Sequence, residues 1–175
     1  EEYCGNFQPP DVPTGVRIFM MQRFLDGAWT PEEAGGVPPS PGWMKNPQFS
    51  LQPRKQEPVR ISLALPEHSG QAIAIWVMEA DSPSERKQDW VGFVEKAESD
   101  SGSAALEVTL DTRPYVIICA TANPEQYFSF RLTLDSTPDV LFGPVGPVGT
   151  VSTIVSLPPP AAPPPLPPPP LPPPL

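Results

Sequence analysis

Thiol catalysis needs a cysteine nucleophile, a histidine to take its proton and a third side chain to orient that histidine. The chain holds two cysteines, Cys4 and Cys119, and one histidine, His68. His68 falls in the polar turn Pro66-Glu67-His68-Ser69-Gly70, which reads as a solvated loop. Cys119 closes the apolar run Tyr115-Val116-Ile117-Ile118-Cys119. Apolar surroundings raise a thiol pKa, so Cys119 reads as a buried, inert thiol and no catalytic residue is assigned. A Cys4–Cys119 disulfide stays open, because spacing alone does not decide it. Two cysteines make no disulfide framework, which favours a reducing, cytoplasmic setting. With no CxxC and no Cys/His cluster, no zinc site is indicated.

Hard cations need six to eight converging oxygens. Glu79, Asp81, Glu85 and Asp89 are the candidates on one loop, with Glu98 and Asp100 on another. If the two loops share one end of the fold they could hold calcium weakly. The competing reading is a pair of solvated loops, and no other cofactor is expected. The net charge of −9 and a pI near 4.5 argue against nucleic acid, which calls for clustered Lys and Arg. Arg54-Lys55 and Arg86-Lys87 are too sparse for an acidic membrane, at ~1 kcal/mol per basic residue near the surface. No apolar run approaches the ~20 residues of a membrane span. The chain opens Glu1-Glu2 with neither Met nor a signal-peptide pattern, which suggests a fragment or processed product.

Thirty residues are proline, and they crowd the end of the chain. Residues 158–175 read PPPAAPPPLPPPPLPPPL. Such runs adopt the polyproline II helix, whose shape is set before binding and fits aromatic grooves. Pro164-Pro165-Leu166-Pro167 and Pro169-Pro170-Leu171-Pro172 look like the ligands of some polyproline-reading domains of the WW type. Leu166 followed by a proline run is also similar to profilin-type ligands. The alternative is a stiff spacer.

These groups need a scaffold, and the pattern is that of strand after strand. Val59–Leu65, Leu106–Leu110 and Tyr127–Leu134 alternate with period two, as half-buried strands do. Ala72–Met78 and Trp90–Lys96 read the same way, with Ile73, Ile75 and Val77 on one face of the former. Tyr115–Cys119 is apolar throughout, as in a central strand buried on both sides. Val16–Met21 is a further apolar run, and residues 26–47 read as a long Gly/Pro-rich loop. No segment keeps a 3.6-residue period. The expected fold is therefore an all-β antiparallel sandwich of about eight strands with a polyproline II tail. Phe49, Ile61, Leu63, Ile75, Val77, Phe93, Leu106, Val108, Ile117, Phe130 and Leu132 should line its core.

Three stretches, in order, resemble the calpain large-subunit β-sandwich domain. The first is Trp29, Ala34-Gly35-Gly36, Trp43 and Asn46-Pro47-Gln48-Phe49. The second is Tyr115–Thr121 followed by Asn123-Pro124, and the third is Phe128-Ser129-Phe130-Arg131-Leu132. Val37 stands where that family usually has Cys, and its long acidic run is missing between Pro66 and Trp90. The catalytic motif of the family's protease core, Gln-Gly-x-x-Gly-Asp-Cys-Trp, is absent from the chain. On physical grounds alone, Gly35-Gly36 allows close backbone approach, Asn46-Pro47 sets an extended start to a strand, and Trp29 and Trp43 can cover an end of the core.

The expected organisation is an extended N-terminal segment over 1–15, the sandwich over 16–136, a Gly/Pro/Val linker over 137–157 and the polyproline tail over 158–175. The expected function is a non-catalytic, calpain-like regulatory or protein-interaction module whose tail recruits or separates. The alternatives are a fragment of a calcium-dependent calpain-like cysteine protease and a structural subunit of a large assembly.

Overall fold

The computed structural model describes residues 21–66, 70–145 and the backbone of 155–156. Ten strands follow one another: β1 Met21–Ala28, β2 Gln48–Pro53, β3 Glu57–Ala64, β4 Ile73–Glu79, β5 Phe93–Ser99, β6 Ser103–Leu110, β7 Tyr115–Thr121, β8 Ser129–Ser136, β9 Val140–Pro144 and β10 Val155–Ser156. A 3-10 turn, Trp43–Lys45, is the sole helical element among the described residues. The strands form two five-stranded sheets, ordered β10-β1-β8-β3-β6 and β5-β4-β7-β2-β9. Every pairing is antiparallel. This is the expected all-β sandwich.

Period-two alternation supplies the inner core. Val59, Ile61 and Leu63 of β3 point inward beside Phe130, Leu132 and Leu134 of β8. From the second sheet come Phe49 and Leu51 of β2, Ile75 and Val77 of β4, and Tyr115, Ile117 and Cys119 of β7. Burying each large apolar side chain stabilises the fold by roughly 1.5–3 kcal/mol. Nine of the eleven residues expected in the core are buried; Val108 is half-buried and packs against the core, and Phe93 is not inside.

The structure corrects several expectations. The 137–157 segment is more than a linker: β9 pairs with the free edge of β2, and β10 adds to β1. A run that reads as Gly/Pro punctuation is held as a strand by a partner about ninety residues away in sequence, which local composition cannot reveal. β1 runs through Ala28, into the segment expected as loop, because β8 pairs with its whole length. β8 itself starts at Ser129, leaving Tyr127 exposed.

The strand expected over Trp90–Lys96 begins only at Phe93, after a turn at Gly92 with φ +83°. The β4–β5 register shifts between Val77 and Met78. A bulge of this kind changes which face the following side chains take. Phe93 therefore stands 50% exposed on the outer face beside Trp76, while Val94 packs toward the core. β4 is not half-buried: Ala74, Trp76 and Met78 are covered on the outer side as well. Trp43 helps to cover that outer side rather than an end of the inner core.

Candidate functional site

The loop between β1 and β2 carries most of the residues singled out in the sequence, and its geometry explains their types. Trp29 enters the inner core, 4.4 Å from the Phe130 ring, and its indole Nε1 donates to the Cys119 carbonyl at 2.8 Å. Gly35 lies so close to the backbone of Gly42 that an added Cβ would sit 1.9 Å from the Gly42 carbonyl oxygen. Gly36 has φ +71° and presses on Pro124. Both positions exclude a side chain. Asn46 is fully buried and ties this crossing together. Its Oδ1 accepts from the Gly35 N–H at 3.0 Å, and its Nδ2 donates to the carbonyls of Gly36 at 2.7 Å and Trp43 at 2.6 Å. An amide with both a donor and an acceptor is what three such backbone groups require.

Pro47 leads from this knot into β2, where Phe49 meets the Phe130 ring edge-on. Gln48 acts as a further tie: its Nε2 donates to the carbonyls of Met44 and Lys87, and its Oε1 accepts from the Lys87 N–H. Arg86 reaches the carbonyls of Met44, Lys45 and Asn46 and pairs with Glu33. Gln48 and Arg86 thus staple the 80–90 segment to the loop, a role with no local sequence signal. Tyr115 donates from its hydroxyl to Asp111 across the β6–β7 turn. The signature residues position backbone; none of them forms a reactive cluster.

What the loop covers is the outer face of the second sheet. Trp43 stacks on Trp90 with ring centroids 3.8 Å apart, Trp76 meets both, and Phe93 closes on Trp76 at 5.7 Å. Trp43 and Trp76 are buried, whereas Trp90 is 46% exposed. Beside the Trp43–Trp90 stack lies an open hollow of about 380 Å³, walled by Pro38, Pro39, Pro41 and Met44 with Ser40 and Gln88. Its lining carries no charged side chain. This face leaves an aromatic ring, Trp90, exposed beside an uncharged hollow. The sequence pattern over Trp90–Lys96 reads as a half-buried strand and gives no sign of this face, because neither the turn at Gly92 that leaves Trp90 outside β5 nor the bulge that turns Phe93 outward has a local mark.

Two of the four acidic candidates are held in ion pairs. Glu79 pairs with Arg113, and Asp89 pairs with Lys87 at 2.8 Å. Lys87 and the Val91 N–H hold the Asp89 carboxyl below the usual carboxylate range. Asp81, Glu85 and Asp89 border one small hollow that Arg86 and Lys87 also line. No group of three or more His, Cys, Asp or Glu able to hold a metal ion occurs among the described residues. The four residues offered as a possible calcium loop thus form no such group among the described residues, and neighbouring cations engage two of them.

Cys119 is a free thiol, fully buried, and burial pushes its pKa far above the ordinary value. Cys4, His68 and the tail residues Pro164 to Pro172 lie outside the described residues. Among the described residues no helix is long and apolar enough to cross a membrane.

No protein-family profile matches the chain. It is 33% identical over 114 residues to the calpain-like protease palB of Emericella nidulans, covering 62% of this chain and 13% of that protein. It is 28% identical over 149 residues to the calpain-like protease palB/RIM13 of Aspergillus oryzae, covering 81% and 17%. The serine/threonine-protein kinase 4 homolog B of Dictyostelium discoideum is 26% identical over 141 residues, covering 75% and 13%. The chain thus spans 13–17% of the length of these curated relatives. Among solved structures, a chain of Sacbrood virus of honeybee aligns over 87% of this chain and 89% of its own, with a TM-score of 0.39 and 10% identity. Two of the three curated relatives being calpain-like proteases, the distant similarity supports a calpain-related family for this all-β chain.

Proposed function

We propose that the chain is a non-catalytic interaction module of a calpain-related protein, comparable to the family's β-sandwich domain, with a polyproline tail that recruits a partner. The observation that carries this reading is the use made of the signature residues. Gly35, Gly36, Asn46 and Trp29 fix a loop against two sheets, and the one described thiol, Cys119, is sealed in the core. A thiol kept protonated and out of reach cannot attack a carbonyl. The similarity to calpain-like proteases favours a second reading, in which the module serves a cysteine protease whose catalytic part lies elsewhere in the parent protein.

Two measurements on the chain test the module reading. Hydrolysis of casein with millimolar calcium should be nil, and equally nil for Cys119→Ala. Activity that the mutant loses would overturn it. Pull-downs should recover a polyproline-reading partner with the wild-type chain and lose it with Leu166→Asp/Leu171→Asp. Identical partners for both chains would reduce the tail to a spacer.

A further inference from the structure

The hollow beside the Trp43–Trp90 stack has the chemistry of a polyproline-reading groove. Polyproline II ligands dock into grooves lined by aromatic rings, where flat pyrrolidine rings stack at little entropic cost. Here Trp43 is buried and backs Trp90 in a stack 3.8 Å apart, while Trp90 keeps 46% of its surface open and offers the ring to a ligand. Three prolines form the facing wall. Polyproline II leaves its carbonyls without internal partners, and the exposed Gln88 amide at the rim can donate to one. The groove is uncharged on a chain of net charge −9, so it discriminates against charged ligands.

The same chain carries a segment of matching character. Residues 158–175 hold no charged side chain. A polyproline II ligand of eighteen residues, at ~3.1 Å per residue, would be about 55 Å long. Delivery decides whose tail it is. β10 lies on β1 at one margin of the first sheet, just before the tail. The groove lies on the outer face of the second sheet near β4 and β5, and β5 abuts β6 at the opposite margin of the sandwich. β10 and the β5–β6 margin thus lie on opposite sides of the sandwich, a separation that a second copy bridges without wrapping around the fold. The geometry points to the Trp43–Trp90 groove as a polyproline-reading site occupied by the 158–175 segment of a second copy of this chain. Two copies that exchange tails bury both segments reciprocally and close as a dimer. A tail held this way is withheld from any foreign reader, so self-association would compete with recruitment. The inference does not depend on whether the parent protein is a protease.

Sedimentation equilibrium of the purified full chain over a wide concentration range tests it, because no foreign partner is present. The weight-average mass should rise from 19.0 kDa toward twice that value. Trp90→Ala in the groove and Leu166→Asp/Leu171→Asp in the tail should each hold the mass at that of the monomer. Gln88→Glu, which puts a carboxylate at the rim without touching the stack, should do the same and serves if Trp90→Ala disturbs the fold. An equimolar mixture of a groove variant and the tail variant should regain association, since one supplies an intact tail and the other an intact groove. A wild-type chain that stays monomeric would overturn the proposal, as would association that neither kind of variant weakens. Failure of the mixture to regain association would overturn it too.

Discussion

The inner core and the outer face of the second sheet are both apolar and both aromatic, yet they are built differently. Between the sheets, strands contribute alternate residues, and the loop residue Trp29 joins them. Phe130 alone meets Trp29 and Phe49. On the outer face, β4 and β7 give the floor, but the cover is a loop, Val37 to Lys45, held by side-chain amides and a guanidinium. The inner core is closed by repetition; the outer cluster is closed by a few specific ties and stays open at Trp90. A face closed in that way can keep a binding groove without weakening the sandwich.

The comparison breaks most severely from the inside. Phe130→Ala should cost about 3–5 kcal/mol, combining lost transfer energy with a cavity between the sheets. Chemical denaturation should show a lower midpoint with an unchanged slope, as a two-state loss of stability does. A cost below about 1 kcal/mol would mean that the two sheets are not packed through Phe130.

Asn46→Ala tests the ties of the cover. It leaves the Gly35 N–H and the carbonyls of Gly36 and Trp43 short of a partner, at about 1–3 kcal/mol for a buried group left unsatisfied. We expect a net loss of about 2–3 kcal/mol, since water can reach part of a loosened loop. The distinguishing sign is spatial. Amide exchange in residues 35–46 should speed up more than in β3 and β8. Uniform acceleration would show that cover and core unfold as one unit.

These two regions were also unequally legible in the sequence. Ile61, Leu63, Phe130 and Leu132 announce the core because alternation is a local property that each strand carries alone. Cys119 could be placed from a different local pattern, at the end of an unbroken apolar run. The signature loop was legible as a resemblance and through its glycines, though its hydrogen-bond partners were not. Gln48 and Arg86 gave no sign, because their partners are backbone carbonyls distant in sequence. β9 escaped because pairing with β2 overrides a Gly/Pro composition that by itself predicts a linker. Phe93 was misplaced by a single bulge, since one shifted register moves a side chain to the other face. The aromatic outer face depends on that shift and on the loop, so it was the least visible part of the fold.

The closure of the inner core has a pH signature. Burial raises the Cys119 thiol pKa, so the folded chain keeps a proton that the unfolded chain gives up. The associated stability is complete below the unfolded pKa of ~8.5 and is lost as pH rises above it, at about 1.4 kcal/mol per pH unit. Between pH 8 and pH 10 the wild-type chain should therefore lose about 2 kcal/mol more than Cys119→Ala. Tyr115, also shifted upward, is common to both proteins and cancels in the comparison. Equal losses in the two proteins would mean that water reaches the thiol in the folded state.

The smallest effect on stability is expected at Trp90, where the outer cluster meets solvent. Its ring stacks on Trp43 and touches Trp76, contacts worth about 0.5–1.5 kcal/mol each beyond burial in well-packed settings. Nearly half of the residue is already exposed, so less apolar surface is lost from the folded state when it is removed. Trp90→Ala should cost about 1 kcal/mol, far less than Phe130→Ala, although both remove a large aromatic ring. Trp43→Ala provides the internal contrast, because the Trp43 side chain is buried among Trp76, Trp90 and the outer cluster. It should cost about 3–5 kcal/mol, the range for a large aromatic removed from a core. Thermal melts of the two outer-face variants against Phe130→Ala measure this order directly. If Trp90→Ala proved as damaging as Trp43→Ala, the groove would be a sealed part of the fold, and the exposed indole would be structural rather than available to a ligand.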